Sequence, residues 1–587
     1  MLNRLQRQAV ATDQSTFVEA PPGTGKTHIV VAKVCRDIRD AAARGRGIAC
    51  LTYTNVARDE ISERLGSALG DEERRFATIL TVNAFCLSTI VRPRAASLGY
   101  EGEPRIATAG TRAFREAAAS ALRGYASTAA LPYRVLDLEK LLQFTWRDID
   151  GTARGDDFGA ASQLLRAAVP RFWEALRSSS HLDHPTVLYE ASRALSNEHY
   201  AHNIAAQFEW LIVDEYQDSS VVQLDIFRKL WKTGRTRLLL IGDLNQTIYS
   251  FNGASFAELN DFPATIGAKR LSLDENYRFG EAIAIVANRV FQREIVSSGS
   301  AEHLHSVVRW TIGDATERVA CGFLPELREL KLPLERTALL CYSKDILREI
   351  AMKLRGLGIP IVLQVPRTDL EWFARVVERV AAGAASCRAA DREVAVDSVI
   401  GLLDHFEVMP RSIDAQSVMR DTTYLTLIDA GNKLDLVESV ASQIGPIVSV
   451  ILESMRSSEL FLPRAIADVR AGLLQQWQEN KKSDWALEPI ADTVERLAPK
   501  RSLRAMSIHA SKGSQFDAVA LVHVDSYAFP HTRSNSLAAK WEDLRKLYVA
   551  STRPRTLLWL HSSPGRSSAY LKILSGADRA VDVIQVC

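Results

Sequence analysis

The stretch from residue 16 to residue 27 decides the fold, and its sequence is Thr16-Phe17-Val18-Glu19-Ala20-Pro21-Pro22-Gly23-Thr24-Gly25-Lys26-Thr27. Its first four residues form a short apolar run that is typical of a buried strand. A glycine-rich loop follows, and an apolar helical pattern then extends from Ile29 to Val34. Backbone amides in such a loop point inward at a helix N-terminus and bind an anion. The pattern is that of a phosphate-binding P-loop, with Ala20 where the strict pattern has glycine.

This loop predicts a nucleoside triphosphate site. Lys26 is expected to reach the β- and γ-phosphates, and Thr27 is expected to hold Mg²⁺. The other predicted nucleotide contacts of the loop are Ala20, Pro21, Pro22, Gly23, Thr24, Gly25 and His28. Further along the chain, a short apolar run ends in Asp214 and Glu215. Carboxylates at a strand end suit metal binding by Asp214 and polarisation of the attacking water by Glu215.

Composition limits the class of protein. The 587 residues exceed a single hydrophobic core, so we expect several domains. No apolar run reaches the roughly 20 residues that cross a bilayer, and the N-terminus does not resemble a signal peptide. These features predict a cytoplasmic protein that is not in a membrane. The seven cysteines form no CxxC pair, which favours free thiols over disulfides or a metal site, and the net charge of +2 requires any basic surface to be local.

Two kinds of sequence alternate along the chain. The first kind has short apolar runs that end in polar or glycine-rich turns, at Thr16–Ala20, Ile48–Tyr53, Leu211–Val213, Leu238–Ile241, Ala338–Tyr342, Ala518–Val522 and Leu557–Leu560. With helical patterns between them, these runs predict an α/β fold whose parallel sheets are covered on both faces. The second kind, at roughly 90–200 and 380–495, has helical periodicity, as in Ala113–Leu122 and Asp369–Val380. It predicts helical insertions.

Further motifs lie before and after the phosphate loop, in a fixed order along the chain. They are Leu2–Val10, Thr52–Asn55, Thr81–Cys86, Asp214–Asp218, Gly242–Ala254, Leu273–Arg278, Met506–Val519 and Leu547–Arg553. This series resembles that of the UvrD/Rep-like superfamily 1 DNA helicases and spans nearly the whole chain. The resemblance implies two RecA-like parallel-sheet P-loop domains, each with a mainly helical insertion. The predicted limits are 1–89 and 201–264 for the first motor domain, 265–379 and 496–587 for the second, and 90–200 and 380–495 for the insertions.

The resemblance also implies roles in ATP binding and hydrolysis. Gln6 would bind adenine, Tyr277 would lie against it, and Gln515 would contact the ribose in place of the family's glutamate. Gln246 would sense the γ-phosphate, which Arg278 and Arg553 would both reach from distant parts of the chain. The implied catalytic set is Lys26, Asp214, Glu215, Gln246, Arg278 and Arg553.

The implied DNA contacts lie in four motifs. Tyr53, Thr54 and Asn55 would touch the DNA, although Thr54-Asn55 is equally compatible with a turn and a helix N-cap. Phe85 lies in a weaker match, where Asn83 and Ala84 replace the usual histidine and serine. Aromatic residues that stack on bases contribute roughly 1–3 kcal/mol per base without selecting a sequence, a role implied for Tyr249 and Phe251. His509 and Lys512 would contact DNA or relay the nucleotide state.

Together these roles imply an ATP- and Mg²⁺-dependent DNA helicase or translocase that moves 3′→5′ on single-stranded DNA or at a junction with duplex. One alternative is a DNA-stimulated ATPase that regulates a partner nuclease, as in the Gabija system with its OLD-type nuclease. A second is a helicase–nuclease of the AddA/RecB kind, for which the roughly 34 residues after Arg553 leave no room. The third alternative is a P-loop switch without a nucleic-acid role, which the ordered motif series disfavours.

Overall fold

The structure is a computed structural model. It describes residues 2–108, 111–126, 138, 141–142, 145–155, 163–248, 253, 255–291, 293–298, 305–363, 372–385, 389–405, 413–431, 439–440, 442–461, 463–480, 502–531, 536–571 and 582–583. All structural statements below concern these residues. The predicted DNA contacts Tyr249 and Phe251 lie outside them.

The first sheet carries the phosphate loop and consists of six parallel strands, in the order β6-β1-β5-β4-β2-β3. These strands are β1 (Thr16–Glu19), β2 (Gly47–Thr52), β3 (Ala77–Thr81), β4 (Phe208–Val213), β5 (Arg237–Gly242) and β6 (Lys269–Ser272). Successive side chains face opposite sides, so that Ile212 packs in one core with Ile29 while Leu211 packs in a second core with Phe227. Both faces are therefore buried, which explains the continuous apolar runs.

The second sheet has seven parallel strands in the order β9-β10-β8-β11-β12-β7-β13. They are β7 (Val307–Ile312), β8 (Thr337–Cys341), β9 (Ile361–Leu363), β10 (Leu503–Ser507), β11 (Phe516–Leu521), β12 (Pro554–Ser562) and β13 (Asp582–Val583). Leu340 and Leu339 are neighbours that belong to different cores, one on each side of this sheet. The prediction of an α/β fold with two parallel sheets is confirmed.

Helices cover both sheets and build the insertions. They are α1 (Arg4–Val10), α2 (Lys26–Ala43), α3 (Asn55–Ala68), α4 (Asp71–Arg74), α5 (Val82–Phe85), α6 (Arg112–Ala126), α7 (Gln163–Ser178), α8 (His184–Ala194), α9 (Glu198–Ala206), α10 (Val221–Lys232), α11 (Phe256–Thr265), α12 (Glu281–Phe291), α13 (Ala315–Arg318), α14 (Leu324–Glu329), α15 (Lys344–Gly356), α16 (Trp372–Ala385), α17 (Ala389–His405), α18 (Ile413–Gly431), α19 (Ile444–Ser457), α20 (Pro463–Asn480) and α21 (Leu537–Ser551). No described helix is both long and apolar enough to cross a membrane.

Each helical insertion has a hydrophobic core of its own. One core contains side chains from α6 and α7, and the other contains side chains from α16 to α20. The helices α8 and α9, however, lie largely within the predicted insertion 90–200 and pack on the first sheet. Strand β6 likewise lies within 265–379 and pairs with β1. Thus α8, α9 and β6 pack with the first sheet, and the exact limits of the domains stay a prediction.

Candidate nucleotide-binding and hydrolysis site

The phosphate loop connects the end of β1 to the start of α2. Gly23 and Gly25 have φ angles of 79° and 82°, in the left-handed region that glycine adopts without strain. A Cβ atom on Gly23 would lie 2.3 Å from the Asn276 side-chain oxygen, so only glycine fits at this contact. Thr24 Oγ1 donates to the Pro21 carbonyl at 2.8 Å and closes the loop on itself. Lys26 is the first residue of α2, and its contact with phosphates stays a prediction.

Helix α1 is attached to this loop through Gln6. The Gln6 side-chain oxygen accepts from the Asn3 backbone N–H at 2.9 Å, which completes a capping box at the start of the helix. Its Nε2 donates to the Thr24 carbonyl at 2.9 Å, and the residue is buried. Gln6 thus fixes the position of the loop, and its contact with adenine remains a prediction. His28, one turn into α2, is exposed.

Two adjacent carboxylates lie where β4 ends beside the loop. Burial and the neighbouring Glu215 raise the pKa of Asp214 to about 7. Desolvation alone would raise the pKa of Glu215, but the positive charges of Lys26 and Lys512 hold that pKa down, at about 2. Glu215 has a φ of 51°, so its side chain leaves the strand direction, and it accepts a hydrogen bond from Gln217 Nε2. An ionised Glu215 can accept a hydrogen bond from a water molecule and orient it, and the oxygen donors present suit Mg²⁺.

Residues 276–278, from the connection to the second sheet, lie directly on the phosphate loop. The Tyr277 N–H donates to the Gly23 carbonyl at 2.8 Å. The Tyr277 ring is exposed, and its hydroxyl oxygen accepts from Asn3 Nδ2 at 3.0 Å. Burial and the nearby Arg553 charge lower the pKa of Arg278 to about 9, because two guanidinium groups face the same cleft. The structure therefore brings Tyr277 and Arg278 to the loop, and their contacts with adenine and the γ-phosphate stay predictions.

Arg553 links the two sheets at the same cleft. It follows α21 of the second sheet, and its Nη2 donates to the Gln246 side-chain oxygen at 2.9 Å. Its Nε donates to the Val549 carbonyl at 2.9 Å, and the residue is only 2% exposed. Gln246 Nε2 in turn donates to Asp243 Oδ2 at 3.0 Å, so three side chains form one chain of hydrogen bonds. The predicted sensor and the predicted second arginine finger are therefore in direct contact.

Lys512 lies at this cleft, where it contacts Asp218 and Gln246, and its contact with DNA stays a prediction. Its ammonium forms an ion pair with Asp218 and donates to the Gln246 carbonyl at 2.8 Å. The side chain is 7% exposed, so its charge is already used within the protein. The contact with Asp218, which follows Glu215 by three residues, fits the alternative role of relaying the nucleotide state.

His509 is a poor candidate for an ionic contact with DNA phosphates. Burial, together with the charges of Lys546 and Lys512, lowers the pKa of His509 to about 4. The imidazole is therefore neutral at pH 7 and offers no positive charge. A neutral hydrogen-bonding contact between His509 and DNA stays a prediction.

Phe85 is a core residue, which corrects the prediction that it contacts DNA. Its side chain is fully buried, and its ring packs edge-on against Phe208 with the ring centroids 5.6 Å apart. The apolar ring stabilises the packing between α5 and the first sheet. A base cannot stack on a ring that the protein encloses on all sides.

The remaining predicted DNA contacts lie at the carboxyl end of β2. Thr54 Oγ1 accepts from the Ala57 N–H at 3.2 Å, so Thr54 is the N-cap of α3. Thr54 and Asn55 are both exposed. The Tyr53 hydroxyl is engaged with Ser219 Oγ at 2.5 Å, and its ring packs against the core of the first sheet. Contact with DNA at these three residues stays a prediction.

Several residues without a predicted role complete the site. Asp243 is fully buried and accepts from the Tyr548 hydroxyl at 3.1 Å, in addition to Gln246. Arg555 Nη2 donates to the Gln515 side-chain oxygen at 3.0 Å, and the Gln515 NH₂ group can donate to a ribose oxygen. Asp243 lies within the motif Gly242–Ala254, but it was not among the residues with a predicted role. The role of Gln515 in ribose binding stays a prediction.

Comparison with known proteins agrees with this geometry. The profile of the UvrD/REP helicase N-terminal domain matches residues 2–266, and that of the UvrD-like helicase C-terminal domain matches residues 485–564. The chain is 29% identical to the ATP-dependent DNA helicase Rep of Escherichia coli over 50% of this chain and 45% of Rep, so the match spans less than half of that relative. It is 24% identical to the ATP-dependent DNA helicase UvrD1 of Mycobacterium tuberculosis over 97% of this chain and 83% of UvrD1.

A third relative gives the same result. The chain is 21% identical to the ATP-dependent DNA helicase PcrA of Bacillus subtilis, over 96% of this chain and 83% of PcrA. Both matched domains contribute to the cleft, the N-terminal one through Lys26 and Glu215 and the C-terminal one through Arg553. By these matches and by the cleft that joins them, the chain belongs to the UvrD/Rep-like family of superfamily 1 helicases.

Proposed function

We propose that the chain is an ATP-driven motor that hydrolyses ATP between its two sheet domains, moves along single-stranded DNA and unwinds duplex DNA. The observation that carries this proposal is the 2.9 Å hydrogen bond between Arg553 and Gln246, which joins the second sheet domain to the phosphate side of the first. A nucleotide bound at the loop that ends in Lys26 would have its γ-phosphate next to both residues.

The charges around the loop support hydrolysis. Phosphoryl transfer places growing negative charge on the phosphate oxygens, and positioned cations stabilise that charge. Those cations are Lys26, Arg278 and Arg553. Against the effect of desolvation, Lys26 and Arg553 lower the pKa of Glu215. Burial and Arg553 lower the pKa of Arg278, so the charges lie close together. Glu215, held ionised, accepts a hydrogen bond from the attacking water and orients it towards the γ-phosphate. Thr27 and Asp214 would hold Mg²⁺, which neutralises charge on the β- and γ-phosphates when bound.

Domain closure would couple this chemistry to movement on DNA. Arg553 and Arg278 bind the γ-phosphate most strongly when the domains are closed, so ATP favours closure and hydrolysis relaxes it. The exposed hydroxyl and amide of Thr54 and Asn55 suit DNA phosphate oxygens, which carry no base information. We therefore expect sequence-independent binding. The family resemblance supports 3′→5′ movement, and action on DNA supports a cytoplasmic location.

The proposal is tested with duplexes that carry a single-stranded tail at either the 3′ or the 5′ end. Single-stranded DNA should raise the rate of ATP hydrolysis, and the protein should separate the 3′-tailed duplex faster than the 5′-tailed one. The protein with Lys26→Ala is the control and should do neither. Hydrolysis stimulated by DNA without strand separation would favour instead the ATPase that regulates a partner nuclease. A rate of ATP hydrolysis that DNA does not change would contradict both the motor and the DNA-stimulated ATPase.

A further inference from the structure

Arg293 reaches from the second sheet domain into the first. It follows α12, whose side chains pack on the second sheet, and the Arg293 side chain is 14% exposed. Its Nη2 lies 2.5 Å from Glu19 Oε1 and 3.1 Å from Asp243 Oδ1. With the Asn245 amide oriented to satisfy both partners, Nε and Nη2 each lie 2.8 Å from the Asn245 oxygen. One guanidinium thus contacts three side chains of the first domain.

The two acidic partners hold key positions in the first sheet. Glu19 is the last residue of β1 and immediately precedes Ala20 of the phosphate loop. Asp243 directly follows β5 and holds Gln246, which Arg553 contacts. Arg293 therefore joins the two strands that border the nucleotide cleft. The sequence motifs do not indicate this contact, because Arg293 lies 274 residues from Glu19 along the chain.

The burial of this cluster makes the arginine hard to replace. Asp243 is fully buried, and Arg293 is the cation that forms an ion pair with it in the described part of the chain. A buried carboxylate that loses its cation keeps an uncompensated charge, which costs far more than losing an exposed ion pair. The planar guanidinium can bind two carboxylates and an amide together, whereas an ammonium is a point charge. Both charge and shape therefore matter here.

We propose that Arg293 is a positioning residue that couples closure of the two domains to the placement of Gln246 against the γ-phosphate. This role rests on the proposed ATPase function. When the domains close, Arg293 binds Glu19 and Asp243, and Asp243 then presents the Gln246 amide towards the nucleotide. Without Arg293, the loop still binds the diphosphate, but Gln246 and Arg553 no longer meet in one orientation.

The test compares Arg293→Ala, Arg293→Lys and Glu19→Gln with the control Arg328→Ala, which removes an exposed arginine of the second domain. Arg293→Ala should lower the DNA-stimulated kcat at least tenfold while the Kd of a fluorescent ADP analogue stays within twofold of the wild type. Arg293→Lys should recover part of the kcat, because it restores the charge but not the bridging geometry. Glu19→Gln should lower kcat at least threefold, and Arg328→Ala should change neither quantity.

The split between kcat and ADP binding separates positioning from a merely structural role. Equal losses of kcat and ADP binding in Arg293→Ala, or an unchanged kcat, would overturn the proposal. If Arg293→Ala does not fold, the test relies on Arg293→Lys and Glu19→Gln. A kcat lowered at least threefold by each variant supports the proposal, and an unchanged kcat in both overturns it.

A second measurement is independent of hydrolysis. Dyes attached at the exposed positions Ser67 and Met352, one in each domain, report the distance between the domains by energy transfer. With a non-hydrolysable ATP analogue bound, Arg293→Lys should lengthen the mean distance and broaden its distribution, and an unchanged distance would overturn the proposal. If wild-type protein fails to hydrolyse ATP, the proposed function fails, and the distance measurement still decides whether Arg293 holds the domains together.

Discussion

Arg553 donates a 2.9 Å hydrogen bond to the side-chain oxygen of Gln246, although 307 residues separate them in the sequence. Arg553 lies after α21 of the second sheet domain, and Gln246 follows a strand of the first. The contact places a buried cation and a polar amide at one point of the cleft. Catalysis that depends on this contact must also depend on the relative position of the domains.

Removal of the Arg553 guanidinium should abolish most of the catalysis without unfolding the protein. Arginine fingers contribute about 10³- to 10⁵-fold to kcat in related phosphoryl-transfer enzymes, so Arg553→Ala should lower kcat by about 10³-fold or more. Arg553→Lys should not restore it, since the ammonium cannot hold the Val549 carbonyl and Gln246 together. Steady-state hydrolysis at saturating DNA measures this effect. A kcat within tenfold of the wild type would show that Arg553 does not act on the phosphate.

Gly23→Ala should damage nucleotide binding, whereas Gly45→Ala should not. Both glycines have positive φ, so an alanine at either position costs roughly 1–2 kcal/mol of backbone strain. Only at Gly23 would the new Cβ also collide with Asn276, 2.3 Å away, while the Cβ at Gly45 meets no atom within 4 Å. Titration with an ATP analogue should show a Kd raised more than tenfold for Gly23→Ala alone. Equal Kd values for the two variants would refute the close contact.

Gln6→Glu should weaken ATP binding through the loop. The Gln6 Nε2 donates to the Thr24 carbonyl, and an ionised carboxylate cannot donate, so two buried oxygens would face each other. A buried polar group left without its partner costs about 1–3 kcal/mol, so we expect the KM for ATP to rise by at least about fivefold. Gln8→Glu, on the same helix but exposed, makes the same charge change and is the control. If both variants raise KM equally, the effect is one of general charge.

Phe85 substitutions should change stability and leave DNA binding intact. Phe85→Ala should lower the free energy of unfolding by about 3–5 kcal/mol, because it removes a fully buried ring. Phe85→Leu keeps most of the apolar volume and should cost much less. Denaturant unfolding measures both values. If Phe85→Leu protein folds normally but binds single-stranded DNA tenfold more weakly, Phe85 contacts DNA after all and its assignment to the core alone is wrong.

The phosphate loop with its flanking strand and helix could be predicted from sequence because these parts are continuous segments. Loop, strand and helix follow one another from Thr16 to Lys26, and each segment has a conformation that its residues favour. The apolar runs predicted strands well for the same reason. Strand β3 gave no such run, since all of its residues are only partly buried, and β6 at the sheet edge is largely exposed.

Contacts between distant segments could not be predicted in this way. The ion pair between Lys512 and Asp218 joins residues 294 positions apart, and no local pattern distinguishes a lysine that binds DNA from one that binds an aspartate. Phe85 shows the same limit, because an aromatic residue in a motif is compatible with a buried ring or with an exposed stacking surface. Only the packing of α5 against Phe208 decides between them.

The rate of ATP hydrolysis with and without single-stranded DNA, measured for wild-type protein and for Lys26→Ala, tests the central claim most directly. We predict that DNA stimulates the wild-type rate, and that Lys26→Ala protein, whose folding and DNA affinity match the wild type, hydrolyses no ATP. Lys26→Ala protein that hydrolyses ATP at the wild-type rate would contradict the account, because hydrolysis would then occur away from this cleft.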